Sequence, residues 1–153
     1  MYPAVLTIHS WLRWAALLFG AAATLNAFRR RADADERPRG QRWDWAFMLA
    51  VDLEVLCGLL LYFGLSPFTM QAFKDFGGAI QNGGLRFWAI DHIGWMAAAT
   101  VLVRVGRVLA LGAATAQARR KWRALFFTLT TLTILAGIPW PGLAHGRPLF
   151  RFW

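Results

Sequence analysis

Two of the three histidines in this 153-residue chain, His9 and His92, lie inside apolar stretches, each accompanied by an arginine. Imidazole is the commonest metal ligand among side chains and carries protons near neutral pH. An ionisable group inside an apolar run marks a functional position by default. His9 and Arg13 stand at i and i+4, which puts them on one helical face, and Arg86 precedes His92 by six residues. Each histidine falls five residues into its apolar stretch, so with a rise of about 1.5 Å per residue both sit about 7–8 Å below the helix start. Two imidazoles at one depth, with two arginines near the adjoining boundary, suit one b-type haem. The iron takes an axial nitrogen from each side, and guanidinium forks hold the propionates at the wet edge. The expected metal ligands are therefore His9 and His92, and Arg13 and Arg86 join them as cofactor-binding residues. Ser10 and Gly94 are small residues beside the ligands, and Trp14 and Trp88 accompany them. A bare zinc or iron ion would want further ligands. The competing account makes each histidine a hydrogen-bonded packing residue. His145, in the tail after Pro141, reads as solvated or interfacial.

The acids are fewer and equally placed for chemistry. Asp52 and Glu54 fall near the middle of the second apolar stretch, where an unpaired charge costs at least about 2.5 kcal/mol. Two residues apart on a helix, they point in nearly opposite directions. Arg104 is the expected ion-pair partner of Asp52. Glu54 is the better candidate for a proton-relay carboxylate serving a quinone or proton pathway, although a structural pair or a neutral carboxyl would explain both acids. Asp91 beside His92 suits a charge at a helix N-terminus. There is no phosphate loop, no Cys-x-x-Cys and no nucleophile constellation, so the catalytic residues are unknown. Without a Cys-x-x-Cys-His attachment the haem b would be held noncovalently.

The elements that must position these groups can be read from composition. Hydrophobic residues make up 58% and charged residues 16%, against about 45–50% and about 25% in soluble domains. Nine tryptophans fit a chain with two bilayer interfaces. Four apolar runs, at about 4–28, 44–65, 87–109 and 123–139, predict one all-α transmembrane domain over 1–153, an up-and-down four-helix bundle. The last run is the shortest. Pro67 and the glycines at 77, 78, 83 and 84 make 66–85 the longest loop, with a short interfacial helix over 69–76. A solvated loop is expected at 32–41.

Orientation comes from the basic residues. Arg29, Arg30, Arg31, Arg37, Arg39 and Arg42 cluster after the first run. Arg104, Arg107, Arg119, Arg120, Lys121 and Arg123 cluster around the end of the third. The opposite side holds Arg13, Lys74, Arg86, Arg147 and Arg151. The positive-inside rule puts both basic gaps in the cytoplasm and both termini on the extracytoplasmic side. This also accounts for the net charge of +9 without nucleic acid as a partner. The lone Cys57 excludes an internal disulfide. The first run lacks a basic segment before it and reads as an uncleaved span rather than a signal peptide.

The stretches Ile8-His9-Ser10-Trp11-Leu12-Arg13-Trp14, Arg86-Phe87 with Asp91-His92, and Ile138-Pro139-Trp140-Pro141 resemble a family of small bacterial four-helix membrane proteins. Its members begin with His-Ser-x-x-Arg-Trp and end with Ile-Pro-Trp-Pro. The resemblance spans nearly the whole chain and implies the fold and a bacterial inner-membrane location rather than an activity. More loosely, the chain is similar to cytochrome b561-type proteins, which carry further haem-ligating histidines. Spans two and four have none, so the likeness would allow one haem at most.

Three functions compete. The first is a single-haem b-type cytochrome, in the manner of an electron-transfer subunit of an oxidoreductase, exchanging electrons with quinol or a partner protein. The second is a non-catalytic subunit of a larger respiratory or photosynthetic membrane complex, with the aromatic tail at 149–153 as contact surface for other membrane protein subunits. A small carrier or channel comes third, since no paired broken helices mark a transport site.

Overall fold

The structure, a computed structural model, describes residues 1–29 and 37–152, with side chains from residue 42 onward in the second stretch. The described residues are all-helical, without a strand. Helix α1 covers Tyr2–Phe28. Helix α2 covers Arg37–Leu60 and continues through a wide, π-type turn at Leu61–Leu65. Three short helices come next: α3 (Pro67–Lys74), α4 (Phe76–Gln81) and α5 (Gly83–Arg86). A second wide turn, Phe87–Asp91, leads into α6 (His92–Leu111), and α7 spans Ala116–Gly137.

Three stretches among the described residues are long and apolar enough to cross a membrane: Tyr2–Phe28, Arg42–Leu65 and Gly83–Leu111. They contain the first three expected spans. Helix α7 overlaps the fourth, but its first turns carry Arg119, Arg120, Lys121 and Arg123, and threonines dilute the rest. Three of these hydroxyls are satisfied within the helix. Thr130 donates to the Phe126 carbonyl at 2.7 Å, Thr131 to Phe127 at 2.8 Å and Thr133 to Leu129 at 2.8 Å.

Burial runs opposite to that of a water-soluble bundle. The interior packs four alanines, Ala16, Ala23, Ala50 and Ala99, among Phe47, Val51, Val103, Phe127 and Ile134. Large apolar side chains point outward: Leu18 is 67% exposed, Leu56 65%, Phe63 70% and Val108 67%. A continuous coat of this kind suits hydrocarbon rather than water. In hydrocarbon, helices associate by close packing of small residues. Helix α1 lies against α2 and α7, and α6 lies against α2 and α7. Gly20 permits one such approach, since a Cβ there would stand 2.8 Å from Thr131 Oγ1 and 2.9 Å from Phe47 Cε2. Gly106 permits another, where a Cβ would collide with the Phe126 side chain.

Segment 66–85 differs from the expected loop. Its turn-forming residues start helices instead of merely breaking them. Ser66 caps α3, which has Pro67 at its first position, by accepting from Thr69 N. Asp75 Oδ1 accepts from Gly78 N at 2.9 Å to start α4, and Asn82 Oδ1 accepts from Gly84 N and Leu85 N, each at 3.1 Å, to start α5. Half of the loop expected at 32–41, residues 32–36, lies outside the described residues, and the other half is helical, since α2 has already begun at Arg37.

Arg123 is also placed differently from its sequence reading. Grouped by sequence with the basic residues outside the spans, it is 6% exposed. Its Nη2 donates to Asp44 Oδ1 at 2.7 Å and to Asn26 Oδ1 at 3.2 Å, joining α7, α2 and α1 at one end of the molecule. At the other end, the tail after α7 folds back onto α1. Trp14 Nε1 donates to the Leu149 carbonyl at 3.1 Å and Trp11 Nε1 to the Arg151 carbonyl at 3.1 Å. Phe150 stacks on Trp14 with ring centres 5.1 Å apart, and Phe152 meets Trp11 edge-on at 5.8 Å. These tail aromatics, read from sequence as contact surface for other chains, are engaged with their own α1. Trp153 lies outside the described residues.

Candidate bis-histidine site

His9 projects from the first third of α1, and His92 is the first residue of α6. The wide turn before His92 is closed by the His92 N–H bonding to the Phe87 carbonyl, five residues back. Such a turn holds one residue more than an α-helical turn, which rotates the rest of the helix by about 100° around its axis. The matching wide turn on α2 is closed by Ser66 N to the Leu61 carbonyl at 2.8 Å. Tyr62 Oη donates to the Ala89 carbonyl at 2.7 Å, tying the two irregular turns together.

The imidazoles meet. Their ring centres are 6.2 Å apart and their planes stand at 86°. His92 Nδ1 lies 2.8 Å from the carbonyl of Gly137, in the last turn of α7. His9 Nδ1 lies 3.2 Å from the Glu54 backbone carbonyl and 3.3 Å from the same residue's Oε2. Carbonyl oxygens only accept, so the proton of each neutral ring sits on Nδ1 and the Nε2 lone pair is left for another partner. A metal-bound histidine is ordinarily fixed in this way, with its second nitrogen donating to a carbonyl or carboxylate.

The spacing bears on what the pair can hold. With metal–imidazole bonds of about 2.0 Å and about 1 Å from each nitrogen to its ring centre, two imidazoles gripping one ion have centres about 6 Å apart. Among the described residues no group of three or more His, Cys, Asp or Glu is placed to hold an ion. Two imidazoles alone would suit only a metal whose other ligands come from a macrocycle. Close packing surrounds the two histidines. A Cβ on Gly58 would stand 3.3 Å from His9 Cε1, and one on Gly137 would stand 2.8 Å from Trp95 Cβ. Phe87 and Trp88 each lie with ring centres 5.7 Å from that of His92.

The other sequence-derived residues divide into two groups. Glu54, 5% exposed, belongs to the histidine site. Arg13 is beside it: its Nη2 donates to Ser10 Oγ at 3.2 Å and to the Leu149 carbonyl, and its guanidinium lies 5.4 Å from the Trp14 ring centre. Arg86 is on the outer surface, where its Nε donates to Asp91 Oδ2 at 3.3 Å. Asp52 and Arg104 form an ion pair at 2.6 Å on the α2–α6 face, away from the histidines. Several contacts were missed from sequence. Glu54 and Gly58 stand at i and i+4, so their common face toward His9 was readable. The Gly137 and Leu149 carbonyls have no sequence signal. Neither has the stacking of His145 on Phe87, with ring centres 3.6 Å apart, nor the seating of Arg147 over Phe68 at 4.4 Å.

Comparison of the chain with family models, with curated proteins and with solved structures gives no match in any of the three.

Proposed function

We propose that the chain is a four-span membrane cytochrome of b type, binding one haem between α1 and α6. The observation that carries this reading is the His9–His92 pair: ring centres 6.2 Å apart, with each Nδ1 against a backbone carbonyl. His9 and His92 would hold the iron. Bound there, haem supplies one-electron transfer, and quinol or a partner protein on the extracytoplasmic side is the exchange partner. The Glu54 and Gly137 carbonyls hold the two imidazoles in the tautomer that ligates. Arg13 and Arg86 are the propionate-binding candidates. The Arg86 bond to Asp91 uses Nε, which leaves its terminal nitrogens for a second acceptor.

In this reading α7 is the fourth span, with the hydroxyls of Thr130, Thr131 and Thr133 returned to its own carbonyls. Both termini are extracytoplasmic, and the basic segments after α1 and α6 face the cytoplasm of a bacterial inner membrane.

The test is haem content. Chain purified in detergent after haem-replete expression carries about one haem per polypeptide, and His9→Ala and His92→Ala each lose it while keeping wild-type helicity by circular dichroism. Full haem retention in both variants would refute the assignment.

A further inference from the structure

The ion pair between Arg104 and Asp52 takes no part in the histidine site, and its position is unusual. Asp52 is ten residues into the Arg42–Leu65 span, about 15 Å from that end, and Arg104 is seven residues, about 10 Å, from the end of α6. Both side chains are partly open to the outside, 46% for Arg104 and 35% for Asp52. An arginine one or two turns from a boundary ordinarily extends its head to water. Arg104 does the reverse. Its Nη1 donates to the Thr100 carbonyl at 3.3 Å, one turn back toward the middle of the span, and its Nη2 to Asp52 Oδ1 at 2.6 Å. A guanidinium has five N–H donors and a carboxylate four acceptor sites, so both groups keep bonding capacity on a face that would otherwise meet lipid.

The surface around the pair is shaped for close approach. Gly94, Ala97, Ala98, Val101, Val105 and Val108 are exposed along one stripe of α6 that also carries Arg104, and a Cβ on Gly94 would meet nothing within 4 Å. An acid and a base presented together form a self-complementary patch, which a twofold axis can satisfy with the same patch on another molecule. We infer that the α2–α6 face is the contact between two copies of this chain in the membrane. Arg104 of one copy shares Asp52 of the other across the axis, and the small α6 residues set the helix spacing. The inference depends on α2 and α6 crossing the bilayer and is independent of haem binding.

Cysteine crosslinking in isolated membranes tests it, because Cys57 is the sole cysteine. In a Cys57→Ser background, Val101→Cys and Val105→Cys are oxidised alongside Leu132→Cys, an exposed position on α7. A disulfide-linked homodimer is expected from at least one of the α6 positions and not from Leu132→Cys. Adding Arg104→Ala or Asp52→Asn should lower the crosslinked fraction several-fold. Four outcomes overturn the inference: monomer at both α6 positions, equal crosslinking at Leu132→Cys, capture of a different polypeptide alone, or recovery of the chain in the soluble fraction.

Discussion

At the scale of single residues, the proposed haem site turns on two ring nitrogens and the groups that hold them. The His9 ring bonds to the Glu54 backbone carbonyl at 3.2 Å, and Oε2 of the same residue lies 3.3 Å away without a hydrogen bond, so changing the side chain leaves the carbonyl to fix the ring. Glu54→Gln should therefore retain haem. A carboxylate beside an axial ligand favours the more positive, oxidised centre, so its removal should raise the midpoint potential in a redox titration; a lowered potential would contradict this placement. Sequence supplied the histidines, their equal depth and the neighbouring Arg13. It could not supply the Gly137 carbonyl, because every residue has one and only the end of α7 brings this one to His92.

At the scale of elements, the Arg123 cluster is the polar contact that ties most of the bundle together. Arg123 joins α7 to α2 and α1 through Asp44 and Asn26 in a buried setting. Removing one partner of a buried ion pair leaves a charge without compensation, at about 3–5 kcal/mol. Arg123→Ala should lower the thermal unfolding midpoint in detergent markedly, and Arg123→Met combined with Asp44→Leu should recover much of the loss. An unchanged midpoint for Arg123→Ala would show that the cluster does not stabilise the bundle. The sequence presented Arg123 as the last of a basic run, and charge counting alone cannot tell a buried member of such a run from its solvated neighbours. The same weakness made 66–85 a loop. Ser66, Asp75 and Asn82 break one helix, yet each accepts backbone N–H groups that begin the next. The three long apolar stretches were readable because hydropathy over about 20 residues depends on no tertiary contact.

At the scale of the whole molecule, alanines pack within around Phe47, Phe127 and Val103, while many leucines and side chains such as Phe63 and Val108 face outward. The histidine site lies where α7 ends and the tail crosses α1, opposite the end at which Arg123 is buried. The proposed topology makes the two ends unequal. An alkaline phosphatase fusion at the C-terminus should be active, and one inserted at Ala113, between α6 and α7, should be silent. The reverse pattern would invert the molecule and put the histidines at the cytoplasmic face. Whether His9 and His92 grip one iron is read most directly from the reduced-minus-oxidised absorption spectrum of the detergent-purified chain after haem-replete expression. Bis-histidine ligation predicts the sharp visible bands of a single six-coordinate b-type haem. A featureless spectrum from folded, fully helical protein would contradict it.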